Sequence, residues 1–471
     1  MDLTHYIGGE AVPGGDRFDS VDPYRGDVVC TAPTASAEDV DAAVESARRA
    51  APEVAAMPAY ERAAILRRVA DLVVENAGAI GEIMARETGK ALGDAEGEVK
   101  RSMDTLTLSA EEAIRIEGAH VPLDGSAMGH GKMAFLMRFP VGVVGAITPF
   151  NAPFNLACHK LAPAFAAGNA SIIKPPQQCP MVVQRLVELF YEAGLPRNFI
   201  QVIHGGAATG QALVAHKGVD MLTFTGSSRA GEHIRANAGL RPVTLELGGA
   251  GPTIVCEDAD LDAIAPVLAR NASRLAGQSC ISVQTIHAPR ALAAELGAKV
   301  AAVMEKLRIG DPLAQGTDVG TLIDEDAARR VEAWVEEAVS QGARILTGGN
   351  RHGAAYEPTL LADVKPDMKV VCDEVFGPVA SILAYDDLAE PVANVTASPF
   401  GLQCGVYTDS TERALWLAKR LRTGGVIING TSTWRTDQLA YGGVKDSGIG
   451  REGPRYAIRD MTEERLILFN Y

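Results

Sequence analysis

The sequence predicts an α/β fold built on parallel sheets, and three observations predict it. From Val141 the chain settles into a repeating strand, turn, helix rhythm. Its strands, residues 141–148 first among them, are apolar throughout instead of alternating, as strands buried on both faces are. Glycines stand where those strands hand over to helices, at Gly205, Gly210 and Gly226. With 471 residues, 47% hydrophobic and 22% charged, the chain is too long for one compact core and suggests two or three domains.

Taken in order, residues 1–36 are rich in turns (Gly8-Gly9, Pro13-Gly14-Gly15, Asp22-Pro23) and read as short strands. Ser36 with Asp39 makes a capping-box start, Asp replacing the usual Glu, for a helix over residues 39–50. Helical spacing returns at residues 60–75, 79–89 and 97–118. Val121, Pro122, Gly125, Gly129 and Gly131 then break the period, and residues 133–139 form a strand-like run. The α/β rhythm follows: strands at residues 141–148, 170–174, 200–204 and 221–225, with helices at 153–166 and 181–193 and others opening near Gly205 and Arg229. Residues 243–247 make the next strand, ending in Gly248-Gly249. The second half mixes helices near residues 263–275, 291–307, 325–341 and 411–421 with strands near Ile254, residues 283–287, Val370 and Val426. Residues 465–470 are a terminal apolar strand, which needs a partner, and pairing between subunits with the insert at 118–140 is the expectation.

Composition narrows the function. A net charge of −15 with scattered basic residues leaves no stripe to neutralise phosphates along a duplex, so nucleic acid is not an expected partner. The N-terminus has no signal-peptide pattern and no apolar run reaches membrane-spanning length, so a cytoplasmic, membrane-free protein is expected. Seven cysteines without a Cys-x-x-Cys pair argue against a disulfide framework and a thiolate zinc site, and no metal is expected.

Two residues stand out chemically. Cys280 lies in the small-residue loop Gly277-Gln278-Ser279-Cys280-Ile281-Ser282 between a helix and a strand, a setting in which a thiol can face a cleft. Thiolate attack on an aldehyde gives a thiohemiacetal whose hydrogen is ready to leave as hydride. Glu246 is a carboxylate inside an apolar strand, either paired structurally or held in a dry cleft with the raised pKa of a general base. The strand running into Gly226-Ser227-Ser228 offers helix N-terminal amides to a pyrophosphate, although such turns also serve as plain connections and Gly205 to Gly210 does not match Gly-x-Gly-x-x-Gly.

Six motifs in order carry a family resemblance: Thr148-Pro149-Phe150-Asn151, Ile173-Lys174-Pro175, Phe224-Thr225-Gly226-Ser227, Leu245-Glu246-Leu247-Gly248-Gly249, Gly277-Gln278-Ser279-Cys280 and Glu374-Val375-Phe376-Gly377-Pro378. Over essentially its whole length the chain resembles the aldehyde dehydrogenase superfamily. The resemblance implies a Rossmann-like cofactor domain (1–117 and 141–247), an α/β catalytic domain (248–458) and a small β oligomerisation arm (118–140 and 459–471) in a homodimer or homotetramer. It makes Cys280 the nucleophile, Asn151 with the Cys280 amide the oxyanion hole, and Glu246 the base for thiol and water. The NAD or NADP pocket would comprise Thr148, Pro149, Phe150, Lys174, Gln177, Gly210, Phe224, Gly226, Ser227, Leu247, Glu374 and Phe376. Met singly, Lys174 reads as a loop lysine, Asn151 as a turn residue and Glu374 as a helix cap; together they read as a site.

Departures from the wider family narrow the substrate. Phe150 replaces a common tryptophan, and His159 and Arg435 stand where members acting on apolar aldehydes carry aromatics. In this the chain is similar to the branch holding lactaldehyde, non-phosphorylating glyceraldehyde-3-phosphate and phosphonoacetaldehyde dehydrogenases. A small polar or anionic aldehyde follows, read by Arg435 and His159, unless Arg435 pairs with Asp437 and His159 is a satisfied helix histidine. Ser279 supplies no second arginine. Gln177, neutral where strict NAD users often hold glutamate, permits both nicotinamides, with NAD favoured because no arginine lies in 174–178. The rival readings are a coenzyme-A-acylating member, which generally lacks the glutamate matched by Glu246, and a non-catalytic binding protein on the same fold.

Overall fold

A strand buried on both faces has no polar side to turn outward, so it must sit between helices, and the centre of this chain is built that way. The computed structural model describes residues 1–471. Strands Val143–Ile147, Ala170–Lys174 and Met221–Thr225 are buried at every position. They form a parallel sheet in the spatial order Ile200–Val202, Ala170–Lys174, Val143–Ile147, Met221–Thr225, Val243–Glu246. The chain starts in the middle, winds outward to one side, and returns to wind outward on the other. The reversal falls between Val143–Ile147 and Met221–Thr225, which is where open α/β sheets leave a crevice beyond their strand C-termini.

The edges of this sheet are closed by distant parts of the chain. An N-terminal hairpin, His5–Ile7 with Glu10–Val12, covers one edge. At the other, Gly448–Ile449 pairs antiparallel with Leu245 and Glu246, which draws residues 430–452 across the strand C-termini. A second sheet runs Arg344–Thr347, Thr359–Ala362, Val379–Tyr385, Thr285–Pro289, Pro252–Val255, Gln403–Tyr407, Gly425–Ile428, parallel except at its first edge. Each sheet has its own apolar packing, a single core of 61 buried residues around the first and clusters of 18, 14 and 7 around the second. The loops entering the second sheet's strands carry Gly249 and Cys280, so its N-terminal edge meets the C-terminal edge of the first.

The capping box at Ser36 forms as read, with Ser36 Oγ accepting from the Asp39 amide and the Asp39 carboxylate accepting from the Ser36 amide. Two expectations are corrected. Val370 lies in the single helical turn Lys369–Cys372, not in a strand; the apolar run there is only a few residues long, too short for its period to separate the two. The terminal strand, Thr462–Phe469, pairs antiparallel along its whole length with Met133–Pro140 of the same chain, and Ala119–Val121 adds a third strand. Its partner is therefore local: the insert returns beside it, and all eight residues find ladder partners without a second subunit.

Candidate active site

Four of the six motifs follow strands of the first sheet, and the parallel arrangement brings their C-terminal ends together. Thr148 to Asn151 leave Val143–Ile147, Lys174 ends Ala170–Lys174, Gly226 and Ser227 leave Met221–Thr225, and Glu246 ends Val243–Glu246. Cys280 and Glu374 arrive from the second sheet. Three glycines seat the pieces on one another. A Cβ on Gly249 would strike the Cys280 carbonyl, one on Gly277 the Gly377 carbonyl, and one on Gly248 would lie 2.5 Å from Glu374 Oε2.

The helix Leu261–Ser273 that leads to Cys280 stops abruptly, because Leu275 and Ala276 both turn left-handed, at φ 55° and 50°. Such residues cost about 1–2 kcal/mol each and persist only when held. Here Asp94 accepts from Arg274 Nε at 2.6 Å and from the Leu275 amide at 3.3 Å. Gln278 Oε1 accepts from the Ile323 amide at 2.9 Å. The thiol that this loop presents is half-buried, and burial pushes it up to about 12, with the Glu374 and Glu246 charges adding and the Tyr441 hydroxyl opposing. At rest Cys280 is a neutral thiol that needs a base.

Glu246 is buried, and neither carboxylate oxygen has a hydrogen-bond partner. An ionised carboxylate so placed is costly, so burial, reinforced by the charge of Glu452, raises its pKa well above the usual carboxylate range. Gly442 lies against it, where a Cβ would come within 2.8 Å of Oε1. Asn151 has a buried Oδ1 without a partner. Its backbone is fixed: Lys90 Nζ donates to the Asn151 carbonyl at 2.7 Å. Glu98, paired with Lys90, accepts from the amides of Phe154 and Asn155 at 3.0 Å each. These amides open the helix Pro153–Ala166, whose preceding residue Ala152 has no side chain to cap them.

That helix is buried at all fourteen positions, so its polar side chains must be matched inside the protein. Lys160 donates to Thr225 Oγ1 at 2.8 Å and pairs with Glu452 at 3.2 Å. His159 Nε2 lies 3.0 Å from Asp437 Oδ1 and 3.2 Å from Arg435 Nη2, while its Nδ1 has no partner. Arg435 is not held by Asp437, which its Nε only approaches at 3.9 Å; Nη2 donates to Glu452 at 3.2 Å, and the guanidinium lies over the Tyr441 ring with its carbon 3.7 Å from the centroid. Burial works against the Arg435 charge, but Glu452 and then Tyr441 and Asp437 raise its pKa above normal. Asp437 belongs instead to His159, to Arg101 at 3.2 Å and to Thr105 at 3.0 Å. Burial would raise Glu452, but Lys160, then His159 and Arg435, hold it down at about 2.

Sequence reading missed Arg101, Tyr441, Glu452 and the Lys90–Glu98 pair. Glu98, Arg101 and Thr105 are spaced along one face of the helix Leu92–Ala113, and that spacing with the Gly442-Gly443 pair is the only local sign of them.

The residues read as a nicotinamide pocket form a graded surface beside this centre. Ser227 is exposed at the start of helix Ser228–Asn237, where its Oγ caps the Ala230 amide. Lys174 is buried, donates to the carbonyls of Pro175 and Gly205 at 2.8 and 2.7 Å, and is lowered to about 8 by desolvation. Gly210 lies beside its side chain, Cβ to Cδ 3.6 Å if a Cβ were present, and Gln177 stands exposed at the rim. Phe224 packs under Gly226, Leu247 under Gly231, and Phe150 meets Phe376 edge-on at 5.9 Å beside Pro149. Thr148 Oγ1 is buried without a partner. Glu374 Oε1 accepts from the Gly249 amide at 3.0 Å, and burial raises it to about 7. A lysine with a hydrogen to spare, an orphaned hydroxyl and open helix amides at a sheet reversal suit a dinucleotide.

The family model for the aldehyde dehydrogenase family matches residues 11–467. The chain belongs to the aldehyde dehydrogenase family. It is 44% identical over 466 residues to the 3-sulfolactaldehyde dehydrogenase of Priestia megaterium, covering 99% of this chain and 97% of that protein. Among solved structures it superposes with TM-score 0.97 on the NADP-dependent glyceraldehyde-3-phosphate dehydrogenase of Bacillus halodurans C-125 complexed with NADP, at 36% identity and covering 100% and 99% of the two chains. It superposes with TM-score 0.96 on aldehyde dehydrogenase 21 of Physcomitrella patens in complex with its reaction product succinate, at 36% identity, covering 99% and 98%. The fold expectation holds, and the chain is an NAD(P)-dependent oxidoreductase of this family. No helix is long and apolar enough to cross a membrane.

Proposed function

We propose that this enzyme oxidises a short aldehyde carrying an anionic tail to the free carboxylic acid. The observation that carries this reading is the Arg435 guanidinium, buried on the Tyr441 ring, whose hydroxyl lies 3.3 Å from the Cys280 sulfur. Although its Nη2 is tied to Glu452, the guanidinium keeps an Nε without a hydrogen-bond partner, and a donor so placed disfavours apolar aldehydes and favours a tail of opposite sign. Arg101, 38% exposed, and His159, with its free Nδ1, join Arg435 in one network through Asp437 and the His159 ring. The relatives named above point to sulfonate, phosphate and carboxylate tails, and an arginine fork serves all three.

Glu246 takes the thiol proton and the Cys280 sulfur adds to the aldehyde carbon. The resulting oxyanion is held by the Asn151 amide and the Cys280 N–H, as an oxyanion hole requires. A bound NAD or NADP would supply the hydride acceptor for that carbon. Thr148, Lys174, Ser227 and Glu374 would hold the dinucleotide, with Pro149, Phe150, Gly210, Phe224, Gly226, Leu247 and Phe376 shaping its bed. The exposed, neutral Gln177 leaves both nicotinamides acceptable, with NAD favoured. Glu246 then activates the water that frees Cys280. Its presence separates this reading from coenzyme-A acylation.

The domains proposed are 1–117 with 141–247, 248–458, and an arm of 118–140 with 459–471. Met137, Leu466, Leu468 and Phe469 are exposed on that arm's sheet, which fits a homodimer or homotetramer, and a cytoplasmic setting is proposed with it. The functional reading is tested by kcat/KM for 3-sulfolactaldehyde, glyceraldehyde 3-phosphate, succinic semialdehyde, lactaldehyde and a small apolar aldehyde with both nicotinamides. One of the anionic aldehydes should lead by at least about tenfold, roughly 1.4 kcal/mol. A lead for the apolar aldehyde would remove the anionic-tail reading.

A further inference from the structure

Tyr441 is the one side chain that hydrogen-bonds the Cys280 thiol, its hydroxyl 3.3 Å from Sγ. It is buried, and its place is fixed from three directions. Its backbone exchanges hydrogen bonds with Glu452, at 3.2 and 2.6 Å. Its ring lies beneath the Arg435 guanidinium, 3.7 Å from centroid to carbon, and Arg435 is itself tied to Glu452. The next residue, Gly442, is pressed against Glu246 so closely that a Cβ would sit 2.8 Å from Oε1. The hydroxyl is therefore aimed at the sulfur by a rigid frame and cannot swing to solvent.

Between a neutral thiol and a phenol either group can donate. A thiolate only accepts, so once the sulfur is ionised the phenol must be the donor, and hydrogen bonds to an ionised acceptor are the stronger kind. A cation over the ring face withdraws density from the phenol and improves it as a donor.

We propose that Tyr441 is a catalytic residue: its O–H, held in line by the ring's stack on Arg435, donates to the Cys280 thiolate as Glu246 removes the thiol proton. Tyr441 keeps its own proton and no covalent bond to it forms or breaks. The inference rests on Cys280 being the nucleophile. It also gives Arg435 a second task, since the guanidinium that faces a substrate tail also stiffens the donor to the sulfur. Burial disfavours the thiolate here, and the Tyr441 hydrogen bond is the foremost influence opposing it.

The test is the pH dependence of iodoacetamide alkylation of the full chain, without cofactor, for wild type and Tyr441→Phe, with peptide mapping of the labelled cysteine. Cys280 should be labelled, and at each pH from neutral upward its labelling should be roughly tenfold slower in the variant, the equivalent of a profile moved up by about one pH unit. Phenylalanine keeps the ring and its stack, and thermal melting with dinucleotide binding checks that the variant is folded. Should it not fold, 3-fluorotyrosine at position 441, a more acidic phenol of nearly the same shape, should move the profile down. A reactive Cys280 with superimposable profiles overturns this proposal alone. A Cys280 that stays unlabelled in wild type overturns the nucleophile reading, and this proposal with it.

Discussion

Lys90 and Glu98 meet at 2.6 Å inside the protein, with side chains 3% and 8% exposed, and between them they fix the segment that carries Asn151. Lys90 donates to the Asn151 carbonyl, and Glu98 caps the first free amides of the following helix. A similar device appears one helix on, where Glu87 accepts from the amides of Met181 and Val182 at 2.9 Å each, opening helix Pro180–Glu192. In both helices the N-cap residue lacks a capping side chain and proline follows it. The acids come from residues on either side of Lys90, so one short stretch orients two helices beneath the site.

Glu98→Ala should therefore destabilise the protein and damage catalysis together. Removing one partner of a buried pair costs about 3–5 kcal/mol, because the other charge is left buried. Urea unfolding should show a loss of that order. The milder Glu98→Gln should keep much of the stability yet lower kcat more than KM, since the oxyanion asparagine is displaced. Unaltered kcat in Glu98→Gln would mean that Asn151 needs no such support.

Arg101→Met should distinguish anionic from neutral aldehydes. Arg101 pairs with Asp437 and is the more exposed of the two arginines; its loss leaves Asp437 held by His159 and Thr105, whereas loss of Arg435 takes a buried partner from Glu452 and leaves it Lys160 as its sole ion-pair partner. The expected outcome is a fall in kcat/KM of roughly tenfold or more, about 1.4 kcal/mol, for the preferred anionic substrate, with little change for acetaldehyde. Equal losses on both would make Arg101 a structural partner of Asp437.

The strand ends and their motifs were legible in the sequence because a parallel α/β sheet gathers the C-termini of its strands whatever else the chain does. Thus Ser227 and Glu246 could be read from the strands that carry them, while Asn151 and Lys174 joined them through the family resemblance. Arg435 illustrates the limit. The sequence offered Asp437, two residues away, as its partner, whereas the partner is Glu452, brought in when Gly448–Ile449 pairs with Leu245 and Glu246. Tyr441 and Arg101 were invisible for the same reason: one sits in a loop, the other on an amphipathic helix, and neither local pattern says what lies opposite. The terminal strand announced its need for a partner but not that the partner lay in the same chain.

Glu374 supplies a pH dependence of stability. Burial raises its folded pKa to about 7, above the ordinary carboxylate value, so the folded state holds a proton that the unfolded state has released. The stabilising contribution is present below about 4.5 and is lost as pH rises toward about 7, at a limiting slope of about 1.4 kcal/mol per unit. Glu374→Gln, which cannot ionise, should flatten that part of the profile. Unfolding free energies measured across this window check it, and identical slopes for wild type and variant would count against a raised Glu374.

The central claim is that Glu246 frees Cys280 from a covalent acyl intermediate. The most direct measurement is the intact mass of Glu246→Gln, acid-quenched during turnover with the preferred aldehyde and cofactor and followed by peptide mapping. The account predicts an adduct of the acyl mass on Cys280 that builds up more slowly than in wild type, because the thiol has also lost its base, and steady turnover lowered by about a hundredfold or more, the scale of a lost general base. An unmodified Cys280 together with undiminished turnover would contradict it.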